Sequence, residues 1–177
     1  MEIWTIGHST LPIESFLGAL TTNAIELLVD VRRFPGSRRH PQFSRDALSQ
    51  SLASSGIDYA HYEALGGRRR PRADSHNTAW RNDSFRGYAD YMETPEFSHA
   101  IDALLRQTET RRVAIMCAET LWWQCHRGLI ADYLKARDHG VTHISSGGKT
   151  APHPFTSAAR IVGGRLSYEG LLDSMSL

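Results

Sequence analysis

Thiol, carboxylate, imidazole and guanidinium side chains fall together in one short stretch, Cys117-Ala-Glu-Thr-Leu-Trp-Trp-Gln-Cys125-His126-Arg127. The apolar run Val113 to Cys117 before it reads as a buried strand, so Cys117 is expected at the strand's carboxyl end, facing the start of the next helix. The positive end of a helix dipole lowers a thiol's pKa, which suits a nucleophile or a ligand. Glu119 is then placed to act as general acid or base, with His126 and Arg127 reaching the same mouth from the first helical turns. Cys125 is expected to pack instead, because Trp122, Cys125, Leu129 and Tyr133 fall on one helical stripe. Neither a zinc spacing nor a Cys-x5-Arg phosphatase loop is present, since position 123 is Trp. Two thiols do not form a disulfide framework in a reducing compartment.

Three further strand ends carry polar groups: His8-Ser9-Thr10, Asp30-Val31-Arg32 and the residues from His143 to Ser146. Each has a structural use of its own, His8 as a helix cap, Asp30 as a partner for Arg32 and Cys117 as a small core residue. Together they make one candidate site, because ligands of open α/β sheets bind outside the carboxyl ends of the strands. His8 joins the candidate acid–base groups, and Ser9, Asp30, Arg32 and Arg127 the candidate binding groups.

Two basic loops leave the same edge, Arg32-Arg33-Phe-Pro-Gly-Ser-Arg38-Arg39 and Gly66-Gly67-Arg68-Arg69-Arg70-Pro-Arg72. Guanidinium forks grip phosphates bidentately, which brings in Arg38 and Arg68, and Gly67 is expected to let the backbone approach a ligand. Trp80, Phe85, Tyr88 and Tyr91 either stack on a base or, at helical spacing, form core. Neither a Gly-x-Gly-x-x-Gly fingerprint nor a Walker loop occurs, which argues against dinucleotide-dependent oxidoreduction and ATP hydrolysis.

The elements that must position these residues alternate in type. Strand-like runs at Ile3 to Ile6, Ile25 to Val31, Ile57 to Tyr62, Val113 to Cys117 and Val141 to Ile144 are separated by amphipathic stretches. Helices are expected over Leu11 to Thr22 with Pro12 in the first turn, from a Ser44 cap to Ala53, over Phe85 to Met92, from Glu96 to Thr108, and from Trp122 to His139 closed by Gly140. The first strand, helix and second strand read as a βαβ unit. This alternation predicts a single α/β domain over residues 1–177, with a doubly wound, mostly parallel, five-stranded Rossmann-like sheet. Gly163-Gly164 between apolar runs adds a short C-terminal hairpin.

The chain has 177 residues, 41% hydrophobic and 22% charged, with net charge +1, which excludes collagen-like, coiled-coil and disordered classes. That near-neutral total hides segregation: residues 31–86 carry +6 and the rest −5. A basic middle on an acidic body points to one anion-seeking face rather than a general polycation. No apolar run is long enough to span a bilayer and no basic leader precedes the first strand, so a cytoplasmic protein with no membrane partner is expected.

Motifs in order along nearly the whole chain resemble the domain of unknown function 488 family. They are Thr5-Ile-Gly-His-Ser9, Asp30-Val-Arg32 with Pro35, Ser37 and Phe43, Leu65-Gly-Gly-Arg68 and Trp80-Arg-Asn-Asp-Ser-Phe-Arg-Gly-Tyr-Ala-Asp-Tyr-Met92. Met116-Cys-Ala-Glu119, Cys125-His-Arg127, His143-Ile144 and Gly148-Lys149 follow. The resemblance implies a compact Rossmann-like domain whose motifs coincide with the strand ends, and it adds Lys149 to the binding set. It implies no activity and leaves the cofactor unknown.

Three functions compete. In the first, an enzyme hydrolyses or transfers a group on a phosphate-bearing nucleotide or nucleic acid, using Cys117, Glu119, His8 and His126. A non-catalytic module binding an anionic small molecule or nucleic acid is the second. A thiol or metal protein, with Cys117, Cys125 and a histidine holding zinc or iron, is the third.

Overall fold

Side chains alternate in direction along a strand, and in this chain the alternation sorts the apolar residues into two layers. The computed structural model describes residues 1–171. In chain order it contains β1 (Glu2–Gly7), α1 (Ile13–Thr22), β2 (Leu27–Asp30), α2 (Arg45–Ser54), β3 (Asp58–His61), α3 (Asp83–Tyr91) and α4 (Pro95–Thr108). Then come β4 (Val113–Cys117), α5 (Arg127–Lys135), β5 (Gly140–Ile144), β6 (Thr150–Pro152), β7 (Arg160–Val162) and β8 (Arg165–Ser167).

The main sheet has the order β3-β2-β4-β1-β5-β6. Strands β1 to β5 pair in parallel, as the alternation of elements predicts. Two features differ from expectation. Strands β1 and β2 are not neighbours, because β4 inserts between them, so the expected βαβ unit is a split one. The antiparallel edge strand β6 was not legible, being three residues long and ending in Pro152. An edge tolerates a proline, which has no N–H for a further ladder.

On one face, Phe16 and Leu20 of α1 and Leu48 and Leu52 of α2 pack on Ile6, Leu28, Ala114 and Met116. On the other, α3, α4 and α5 cover Leu27, Val29, Val113, Ile115 and Cys117. Strand β4 therefore feeds both layers, and its period of two turns Cys117 toward the α5 side. All five of its side chains are buried, which accounts for its unbroken apolar run.

Helix ends follow local chemistry, with corrections. Asn82 caps α3 by accepting from the Ser84 and Phe85 N–H groups, and Thr94 caps α4 ahead of Pro95. Pro12 is the N-cap of α1 rather than a first-turn residue. Ser44 precedes α2, but its hydroxyl donates to the Pro41 carbonyl rather than capping. The expected helix from Trp122 to His139 is broken: Trp122–Gln124 is a 3-10 turn and α5 begins at Arg127. Asp138, at φ 62°, makes the left-handed turn assigned to Gly140, which instead opens β5. The C-terminal hairpin forms as predicted, with Gly163 and Gly164 at φ 57° and 76°. No helix among the described residues is long and apolar enough to cross a membrane.

Candidate active site

The parallel register brings the chemistry to one level. Gly7 pairs with Cys117, and Asp30 pairs with both Met116 and His61, so β1, β2, β3 and β4 end together. Beyond that edge the chain is tied down tightly. The His8 and Ser9 N–H groups donate to the Cys117 and Ala118 carbonyls at 3.0 and 2.8 Å, with Ser9 at φ 46°. Gly7 makes this approach possible: a Cβ there would fall 1.7 Å from the Glu119 carbonyl oxygen.

A cleft of about 360 Å³ opens at this edge. Its lining includes Arg32, Gly67, Arg68, Cys117, Glu119 and His126, all placed in the candidate site from the sequence, together with Arg33, Phe34 and Gln124, which were not, and Cys125, which was expected to pack or to hold a metal. His8, Asp30 and Arg127 lie behind this lining. Arg38 and Lys149 are exposed and away from it, and Ser9 serves through its backbone.

Asp30 is fully buried and holds Arg32 in a fork, Nε to Oδ1 at 2.9 Å and Nη2 to Oδ2 at 2.7 Å, while the Tyr59 hydroxyl donates to Oδ2 at 2.6 Å. Burial and this carboxylate push the Tyr59 phenol well up. His8 Nδ1 donates to the Ser9 carbonyl at 2.8 Å, which fixes the tautomer and leaves Nε2 to accept from Arg32 Nη1 at 3.3 Å. Burial, aided by the Arg32 charge, lowers His8 to about 4. It is a neutral ring stacked on Phe43 at 4.3 Å.

His126 is likewise lowered to about 4 by burial, and its Nε2 donates to the Val31 carbonyl at 3.0 Å. Gly67 closes over this ring: a Cβ would lie 2.9 Å from His126 Nδ1, and one on Gly66 would lie 2.8 Å from Arg33 Cα. The Gly-Gly pair thus lets protein pack on protein, where the sequence reading had a ligand. The Arg run divides in the same way. Arg69 stacks on Tyr91 at 3.7 Å and Arg72 pairs with Glu93, while Arg68 is exposed at φ 58° and its carbonyl accepts from Arg33 Nη1. Tyr88 is core, donating to the Leu65 carbonyl, and Trp80 packs edge-on against Phe85.

The two cysteines meet. Cys117 Sγ and Cys125 Sγ are 2.8 Å apart, so Cys125 belongs to the cleft rather than to a packing stripe. Their electrostatics reverse the expectation drawn from the helix dipole. Burial, with the hydrogen bond and charge of Cys125, pushes the Cys117 thiol well up. Burial also acts against the Cys125 thiolate, but the Cys117 hydrogen bond and the Arg127 charge outweigh it and bring this thiol down to about 7. Within the pair this direction favours ionisation at Cys125. No group of three or more His, Cys, Asp or Glu among the described residues could hold a metal ion.

Arg127 lies under this floor, 1% exposed. It donates to the Thr5 hydroxyl at 3.3 Å and to the Glu119 and Thr120 carbonyls at 3.0 and 3.2 Å. From Thr5 a buried chain runs away from the cleft. It links Thr5 Oγ1 with His143 Nδ1 at 2.6 Å, His143 Nε2 with His153 Nδ1 at 2.8 Å, and ends where His153 Nε2 donates to Asp132 at 2.9 Å. Trp122 stacks flat on His143 at 4.7 Å, and burial lowers His143 to about 3. Sequence reasoning missed this network, since its partners lie far apart in the chain and no local spacing marks them.

No curated protein and no solved structure matches the chain. A family profile does, over residues 12–134, a span that takes in Asp30, Arg32, Gly67, Arg68, both cysteines, His126 and Arg127. By that match the chain belongs to the domain of unknown function DUF488 family.

Proposed function

We propose that this chain is an enzyme acting on a phosphate-bearing substrate at the cleft, by hydrolysis or group transfer. One observation carries the reading: exposed and half-exposed guanidinium groups and an activated thiol share one lining of about 360 Å³. Arg33 and Arg68 have no carboxylate partner among the described residues and supply the anion's counter-charge. Arg32, neutralised by Asp30, acts as a fixed donor. Cys125 takes the nucleophile's role that the sequence assigned to Cys117, because it lies in the cleft lining and, against burial, the Cys117 hydrogen bond and the Arg127 charge bring its thiol down. Glu119, exposed at the rim, delivers or removes the proton of the leaving group or acceptor. His8 and His126 position Arg32 and the Val31 backbone.

The test is turnover on a panel of nucleotides and phosphorylated metabolites. Cys125→Ser and Glu119→Gln are expected to lower kcat by about 100-fold each. If both variants turn over like the wild type, the catalytic assignment fails.

A second reading rests on Phe34, 62% exposed, flanked by Arg33 and Arg68 at 5.6 and 5.8 Å from its ring. An aromatic face between cations is a base-stacking platform, and a binding module for single-stranded nucleic acid would use it without chemistry. Steeply salt-dependent binding with no product after long incubation supports this reading over the first.

A further inference from the structure

We propose that Cys117 and Cys125 form a reversible dithiol–disulfide pair that reacts with hydroperoxides entering the cleft, Cys125 being oxidised first and Cys117 resolving. The geometry carries the proposal without reference to any phosphate ligand. Strand β4 aims Cys117 at the α5 layer, and the 3-10 turn at Trp122–Gln124 delivers Cys125 opposite it, leaving the sulfurs 2.8 Å apart. A disulfide needs roughly 2.05 Å, so closure takes a movement of under about 1 Å. Both cysteines line the cleft, the route by which a small oxidant would reach these buried residues.

Arg127 supplies the second, independent observation. Its guanidinium is buried, no carboxylate pairs with it among the described residues, and its Nε has no hydrogen-bond partner. A buried, unpaired cation is costly, and its charge favours the ionised form of both sulfurs, so a thiolate of the pair is the anion the site provides. Burial and the neighbouring Cys125 push the Cys117 thiol up, while, against burial, the Cys117 hydrogen bond and Arg127 bring Cys125 down, a direction that favours Cys125 as the attacking sulfur.

The chemistry balances with the hydroperoxide as oxidant. The Cys125 thiolate attacks the terminal oxygen, the O–O bond breaks, and the alkoxide or hydroxide leaves and takes a proton from solvent, while the transferred hydroxyl gives a sulfenic acid. Cys117 sulfur then attacks Cys125 sulfur. The S–O bond breaks, the departing hydroxide takes the Cys117 proton, and one water is released. Two electrons pass from the thiols to the peroxide, and a dithiol reductant returns them.

Both cysteines fall in the single tryptic peptide Val113–Arg127, which makes the test direct. The full-length reduced protein is treated with one equivalent of hydrogen peroxide, quenched, digested and weighed. The expected result is a peptide lighter by two hydrogens, restored by dithiothreitol, with loss of both titratable thiols and no dimer. Cys117→Ser is expected to hold a sulfenic acid at Cys125, trapped by a cyclic dione, and Cys125→Ser to consume peroxide at least about tenfold more slowly. An unlinked, dimeric or further oxidised peptide in the wild type overturns the pair, and an unslowed Cys125→Ser overturns the roles. The wild-type peptide decides the first point even if a variant fails to fold. Oxidation without substrate turnover leaves this proposal standing, and turnover by a protein that forms no link refutes it alone.

Discussion

The Cβ that Gly7 lacks would sit inside the backbone of the segment that follows β4. Gly7→Ala must therefore push the Ala118–Glu119 turn off β1 and disturb Arg127, whose Nη2 lies 3.1 Å from the same point. A loss of roughly 2–4 kcal/mol is expected in urea unfolding, against about 1 kcal/mol for Gly67→Ala, where a ring rather than a carbonyl must yield. Arg68 and Arg32 separate in a similar comparison. Arg68→Ala is expected to weaken inorganic phosphate binding about tenfold in calorimetry with little change in stability, because the side chain is exposed. Arg32→Ala strands the buried Asp30 carboxylate and is expected to cost about 3 kcal/mol or more of stability. At this scale the sequence was informative about residue type. Six of the residues it singled out line one cleft, and Asp30–Arg32 pair as that close spacing allows. It did not bring Cys125 to Cys117, since which sulfurs meet depends on neighbours that no spacing reveals.

Elements were legible where period and composition spoke alone, as in β4, α4 and the hairpin, and illegible where tertiary contacts overrode them. Helix α5 shows both. Its apolar face is periodic, yet its start is displaced to Arg127 because Trp122 is drawn off to stack on His143. From its middle, Asp132 accepts from His153, from the Thr156 N–H and hydroxyl, and from the Tyr168 hydroxyl. Three points of the segment after β5 thereby hang on one buried carboxylate. Asp132→Asn replaces an acceptor with a partial donor against four donors, and a loss of about 3 kcal/mol is expected. Hydrogen exchange should locate the damage, with faster exchange across residues 150–168 and little change in β1 to β4. Uniform acceleration across the sheet would show instead that the tail is integral to the core's cooperativity.

For the molecule as a whole, two buried histidines and the half-buried His126 set the response to acid. His8 and His126 are lowered to about 4 and His143 to about 3, from an ordinary value of 6.5, chiefly by burial. Below pH 6.5 the unfolded chain binds protons that the folded rings refuse, so stability is complete above that pH and falls as pH drops toward 4. Urea midpoints should be level between about pH 7 and 8 and decline steeply from about pH 6, by several kcal/mol in total. A level profile down to about pH 4.5 would mean that these rings are not held neutral. The basic middle of the chain also resolves at this scale. Its +6 is not one patch: Arg69 and Arg72 are spent on Tyr91 and Glu93, and Arg32 on Asp30, leaving Arg33 and Arg68 at the cleft. Local pattern by itself determined the α/β class, the parallel strands and the strand ends at which to look, because side-chain period and turn chemistry act over a few residues. Only the tertiary structure decided that β4 separates β1 from β2, that the two cysteines touch, and that Arg127 reaches Asp132 through Thr5, His143 and His153. Those outcomes depend on burial and on contacts between residues distant in the chain, where desolvation and charge are set by the whole packed interior.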